Sequence, residues 1–131
     1  EEVNGVAITR NIYRPEMSGN VINMQQGESS IVLPSDSVVS EHTILLVSHT
    51  WGEPTFAIDY ISYSSLNNNR PLLTEAEYKK LSLVLSYVKA YFYKNVDKRK
   101  TDLSKYALDI EFKYIGPNRK LVLKQARVYN D

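Results

Sequence analysis

Apolar and polar residues alternate with a period of two over 56–63 and 108–114, shorter apolar runs stand elsewhere, and one segment runs with the longer period of a helix. Val3 to Arg10 (VNGVAITR) is a short apolar run that predicts a strand. A turn at Arg14-Pro15-Glu16 leads to a second strand, Gly19 to Gln26 (GNVINMQQ). Gly27 to Glu41 is rich in Ser, Asp and Pro and reads as loop. Thr43 to Ser48 (TILLVS) is β-branched and apolar, a buried strand. The turn Trp51-Gly52-Glu53-Pro54 joins it to Phe56 to Tyr63 (FAIDYISY), which completes a hairpin. Asn67 to Pro71 then breaks the pattern.

One helix is expected over 74–93. Thr74 stands three residues before Glu77, the spacing of a capping box, in which each side chain satisfies the other's free backbone N–H. Leu81, Val84, Leu85, Val88, Tyr91 and Phe92 follow at helical spacing as one apolar stripe, with Lys79, Lys80, Ser86 and Lys89 mostly off it. Such a stripe packs on a sheet. Asn95 to Lys105 (NVDKRKTDLSK) reads as a solvated linker, because Asp97 and Asp102 interrupt its basic residues. The fold class expected is α+β: a mainly antiparallel sheet with one long packed helix.

The end of the chain is a second hairpin. Leu108, Ile110, Phe112 and Tyr114 alternate with Asp109, Glu111 and Lys113, so the two sets point to opposite faces. Gly116-Pro117-Asn118 supplies turn chemistry, and Leu121 to Tyr129 (LVLKQARVY) returns. With a loop of Gly116 to Lys120 and Ile115 opposite Leu121, Tyr114 faces Val122, Ile110 faces Ala126 and Leu108 faces Val128. The other face then pairs Glu111 with Gln125 and Asp109 with Arg127. A one-residue slip would scramble both faces.

Composition narrows the function classes. The 131 residues carry a net charge of +1, which gives no electrostatic case for nucleic acid or an anionic membrane. Cysteine is absent, so disulfides and thiolate metal sites are excluded, in keeping with a reducing, cytoplasmic setting. The opening EEVNGVAITR lacks a signal peptide's basic start and apolar run, and no apolar stretch approaches the roughly 20 residues that span a bilayer. Ten tyrosines suit half-buried faces, where the ring packs and the hydroxyl stays wet. Neither His42 nor His49 has a partner at metal-ligand spacing, so surface or strand-end packing is expected of both. A Gly-rich Lys loop for phosphates is absent, and residue order alone supports no Ser-His-Asp arrangement.

The polar face of the terminal hairpin carries the candidate chemistry. Glu111 and Gln125 offer the hard oxygen ligands that Mg²⁺ takes together with water and phosphate oxygens. Arg127 can grip a phosphate with its planar fork, and Asp109 can orient Arg127 or reach the metal shell. The same four residues also suit a plain cross-strand ion pair, Asp109 with Arg127, on a wet sheet face. Spacing alone leaves both readings open.

DIEF followed by a turn and then QAR resembles the signature that ends the ATP-grasp domain of phosphoenolpyruvate synthases and pyruvate, phosphate dikinases. Asn4 to Asn11 (NGVAITRN) is similar to that family's early strand, and Gly19 to Glu28 (GNVINMQQGE) to a later one ending in Gly-Glu. The likeness brackets nearly the whole chain and is loose in its middle. The family has Pro after the arginine where Val128 stands here, which bears on the chain's exit. The resemblance implies that Glu111 and Gln125 bind Mg²⁺ and that Arg127 contacts nucleotide phosphate, with Asp109 beside them. It makes Arg10 a phosphate contact and Glu28 a weaker candidate.

The resemblance covers only the second lobe of an ATP-grasp clamp. It implies an ATP- and Mg²⁺-binding piece of a longer dikinase-like phosphotransferase. Its partners would be ATP, a first lobe bearing the phosphate-binding lysine and arginine, and a phosphohistidine carrier domain. Half a clamp is expected to catalyse nothing alone, because phosphoryl transfer needs charge neutralisation from several directions. The alternative is a non-catalytic binding or interaction module that keeps the fold. A nucleic-acid binder built on Lys98, Arg99 and Lys100 is the least favoured reading.

Overall fold

The computed structural model describes residues 2–14, 18–27, 38–48, 55–97, 102 and 105–130. Six strands form one sheet: β1 (Val3–Ile8), β2 (Asn20–Gln26), β3 (Glu41–Ser48), β4 (Thr55–Ser62), β5 (Leu108–Ile115) and β6 (Lys120–Val128). Their order across the sheet is β4-β3-β2-β1-β5-β6, and every neighbouring pair is antiparallel. The first four strands run as a meander. Helix α1 (Glu75–Tyr91) then carries the chain across the sheet, so that β5 pairs with the free side of β1. The expected α+β class and mainly antiparallel sheet are what the chain adopts.

The helix begins where its capping box places it. Thr74 Oγ1 accepts from the Glu77 amide at 3.1 Å, and a Glu77 carboxylate oxygen accepts from the Thr74 amide at 2.9 Å. Glu77 does a second job. Both its oxygens take bonds of 3.1 Å from the Arg119 guanidinium, which also donates to the Leu72 carbonyl at 2.6 Å. Burial alone would raise the Glu77 pKa, but the bonds from Arg119 and Thr74 outweigh it and hold the carboxyl below its usual value. One carboxylate thus ties the start of α1 to the tip of the β5–β6 hairpin.

The apolar stripe of α1 differs from the expected one: it gains Tyr78, while Val84 is half-buried at its margin and Tyr91 lies off it. Tyr78, Leu81 and Leu85 are fully buried, and Val88 and Phe92 pack against the same core, whereas Tyr91 is 51% exposed. The row 78-81-85-88-92 follows the sheet, and Tyr91 is rotated to its flank. After Tyr91 the helix widens into a π turn, Phe92–Val96. Of the stretch expected as solvated linker, Asn95, Val96, Asp102 and Lys105 are exposed and Asp97 is buried; just beyond it, the buried Tyr106 ring meets Tyr93 edge-on at 5.0 Å. The expected turn at Trp51-Gly52-Glu53-Pro54, His49, Glu28 and the cluster Lys98, Arg99 and Lys100 lie outside the described residues.

The core lies between α1 and one face of the sheet. Val3, Ala7, Ile22, Met24, Leu45, Leu108, Ile110, Phe112 and Tyr114 fill it from below. Gly5 stands opposite Phe112, and a Cβ there would sit 2.2 Å from the ring. A buried carboxylate is set into the same face. Glu41, expected as loop, is the first residue of β3 and has no exposed surface. It accepts from the Leu72 amide at 2.9 Å and from the Tyr78 hydroxyl, which in turn accepts from Thr43 at 3.4 Å. Burial raises the Glu41 pKa despite these two bonds, and burial plus the Glu41 charge pushes the Tyr78 hydroxyl far up.

Two outcomes are expected. Gly5→Ala should cost about 1–3 kcal/mol of stability by overpacking against Phe112, measured by denaturant unfolding, and Phe112→Leu should recover part of the loss. For Glu41 the raised pKa means that the fold favours the protonated carboxyl. The associated stability is therefore full below the ordinary value of 4.5 and is lost as pH rises through the higher folded value. Urea melts at stepped pH should show this decline, and Glu41→Gln should flatten it.

Candidate functional site

The candidate site is built on the sheet face that α1 does not cover. On β5 the even residues face the helix, which turns Asp109, Glu111 and Lys113 to the open side. The register brings Asp109 opposite Arg127 and Glu111 opposite Gln125, as the sequence pattern requires. On the other flank Asp109 stands beside Ile8, and Glu111 beside Val6. Four polar groups therefore share one patch at the β5–β6 end of the open face, next to an apolar strip from β1.

Toward the turn, the register departs from expectation. Ile115 pairs with Lys120, so the loop is Gly116 to Arg119, and Tyr114 faces Leu121 rather than Val122. The two halves of the hairpin are reconciled by a bulge: Glu111 pairs with Gln125 and Phe112 with Leu123, leaving Lys124 as the extra residue. The bulge switches the parity of β6. Leu121 and Leu123 face the helix side before it, and Ala126 and Val128 after it. Without it, either Leu121 and Leu123 or Ala126 and Val128 would sit on the wrong face.

The geometry of the patch is half committed. The Arg127 guanidinium donates to one Asp109 oxygen from two nitrogens, at 3.2 and 3.4 Å. The Asp109 side chain is 22% exposed and that of Arg127 68%. Glu111 and Gln125 are exposed beside them. Arg10 is placed apart, two residues beyond the end of β1, with its guanidinium 6.0 Å from the centre of the Tyr129 ring. Its close neighbour is Lys89, which donates to the Thr9 carbonyl at 3.1 Å. Burial first, and the Arg10 charge second, lower the Lys89 pKa.

Other polar residues on this face were not singled out by the sequence. Lys113 lies between Asn4 and Val122, two positions along from Glu111, and its parity was the available signal. His42 and Asn23 continue the row of Glu111 and Val6 across β2 and β3. The His42 Nε2 lies 3.2 Å from the Tyr13 hydroxyl, and burial lowers its pKa. His42 thus packs near the start of β3.

Among the described residues, no three His, Cys, Asp or Glu side chains form a group that could hold a metal ion. Glu111 and Gln125 would give Mg²⁺ two ligands, leaving its remaining positions to water and phosphate oxygens, a common arrangement for this ion. No helix among the described residues is long and apolar enough to cross a membrane. Compared with known proteins, the chain matches no family model, no curated protein and no solved structure.

The Asp109–Arg127 pair is a surface ion pair, so its coupling should be small. A double-mutant cycle with Asp109→Ala and Arg127→Ala is expected to give about 0.2–1 kcal/mol in urea unfolding. Glu111→Ala and Gln125→Ala should each change stability by about 0.5 kcal/mol or less, which leaves these positions open to functional tests on folded protein.

Proposed function

We propose that this chain is the second lobe of an ATP-grasp domain, part of a dikinase-type phosphotransferase of the phosphoenolpyruvate synthase kind, acting in the cytoplasm. The observation that carries the reading is the register: Asp109 opposite Arg127 and Glu111 opposite Gln125, side by side on the face that the helix leaves open. Glu111 and Gln125 would hold Mg²⁺, and Arg127 would neutralise phosphate charge while Asp109 orients it. Arg10, two residues past Ile8 and its partner Asp109, would meet the nucleotide from that end of the patch. Held by these two residues, Mg²⁺ would supply neutralisation of nucleotide phosphate charge. A first lobe would close over the open face, and a carrier domain's histidine would accept the phosphoryl group for delivery to pyruvate or a similar acceptor.

The Asp109–Arg127 ion pair also supports a second reading, a non-catalytic interaction module whose open face is held by cross-strand pairs. Titration of the intact protein with Mg²⁺-ATP separates the two. The nucleotide reading expects about a tenfold or greater loss of affinity in both Glu111→Ala and Gln125→Ala, and no ATP turnover by the 131-residue chain alone. Unchanged affinity and activity in both variants would favour the interaction module.

A further inference from the structure

The two edges of the sheet are built differently. β6 carries Lys120, Lys124 and Arg127 and is bulged at Lys124, the devices by which natural sheets discourage pairing with another chain. β4 (TFAIDYIS) has no Lys, Arg or Pro, and pairs regularly with β3 from Thr55 to Tyr60. Its single bulge falls at Ile61, near its end. No strand among the described residues lies beyond it.

A groove of about 550 Å³ runs between β4 and the first turns of α1. Phe56, Ile58, Tyr60 and Ala76 line it, and Glu75 and Lys79 stand on its rim. Lys79 Nζ lies 5.4 Å from the centre of the Phe56 ring, while the Glu75 charge acts on the Tyr60 hydroxyl, which burial, Glu41, Tyr63 and Glu75 push up to about 12. The cation thus marks the Phe56 end of the groove and the anion the Tyr60 end.

We propose that β4 is a dimer interface, pairing antiparallel with β4 of a second copy of this chain about a two-fold axis at Ile58. That register sets Phe56 against Tyr60 of the second copy and Asp59 against Ala57, so aromatic meets aromatic and the two carboxylates stay apart. It also brings Lys79 of each copy toward Glu75 of the other, twice by symmetry. An isologous interface requires this kind of self-complementarity, and the groove's charge order provides it. The pairing would satisfy the outward backbone groups of β4 and cover Phe56, Ile58 and Tyr60 on both copies.

Sedimentation across a concentration series tests this, with circular dichroism confirming the fold of each variant. The wild-type chain should dimerise reversibly. Ala57→Glu, at an exposed edge position, sets a like charge opposite Asp59 of the second copy and should abolish the dimer. Lys79→Glu should weaken it by about tenfold or more, as should Glu75→Lys, and the double exchange should restore it. Hydrogen exchange should show the β4 amides that point away from β3 protected only at dimer-forming concentrations. A chain that stays monomeric throughout, a dimer indifferent to Ala57→Glu, or one dispersed instead by Tyr87→Lys on the outer face of α1 would overturn the proposal.

Discussion

The centre of the sheet is set by a missing side chain. β5 joins the sheet only after the helical crossover, beside β1, and Phe112 must enter a layer already bounded by Val3 and Ala7. Gly5 gives it the space, since any Cβ there would meet the ring. The consequence reaches the open face. With Phe112 seated toward the helix, the pleat turns Glu111 and Lys113 away from it, and Asp109 follows two residues back. The side chains that carry the candidate chemistry are therefore aimed by a packing constraint on the opposite side of the same strand.

Two kinds of carboxylate result from this layering. Glu41 lies on the helix face, where burial is the largest influence on it and bonds from Leu72 and Tyr78 offset only part of its removal from water. Glu77 is placed at the border, where it caps the helix and receives Arg119. The first is a structural anchor at the start of β3, and the second holds the β5–β6 turn against α1. Arg119 takes positive φ (55°) in that turn, a backbone cost offset by three bonds from its guanidinium. Asp109 and Glu111, by contrast, stand in contact with water, where charge can be offered to a ligand without first being unburied.

Much of this was legible in the sequence. The capping box located α1, and alternation in LDIEFKYI assigned the two faces of β5. The pairing of Asp109 with Arg127 and of Glu111 with Gln125 followed from the demand that both faces be consistent. The turn half of the hairpin was misread because one uninterrupted register was applied to a strand that changes phase. The sequence is ambiguous there: LVL is apolar at 121, 122 and 123 alike, so Val122 suits an uninterrupted register as well as Leu121 and Leu123 suit a bulged one. Tyr91 was misassigned because a stripe read by i+3 and i+4 steps drifts around the helix, and the sheet selects only one row. Glu41 gave no local signal. A carboxylate is buried by what arrives from afar, here Leu72 and Tyr78, and its own neighbours in sequence do not announce it.

The Asp109–Arg127 pair bears on how a patch already paired with itself could serve a ligand. An exposed ion pair contributes about 0–1 kcal/mol, because water and salt screen it and two long side chains must be ordered to form it. A phosphate offers the same guanidinium more negative charge and a geometry that fits its fork. Arg127 can therefore leave Asp109 at little cost, and an Asp109 so released adds a hard oxygen beside Glu111. The buried bonds of Glu41 could not be exchanged in this way, since breaking one would strand a carboxylate in the core. Reversible pairing on the open face and irreversible pairing beneath the helix are thus complementary: the second keeps the strands in register while the first leaves the patch free to change partners.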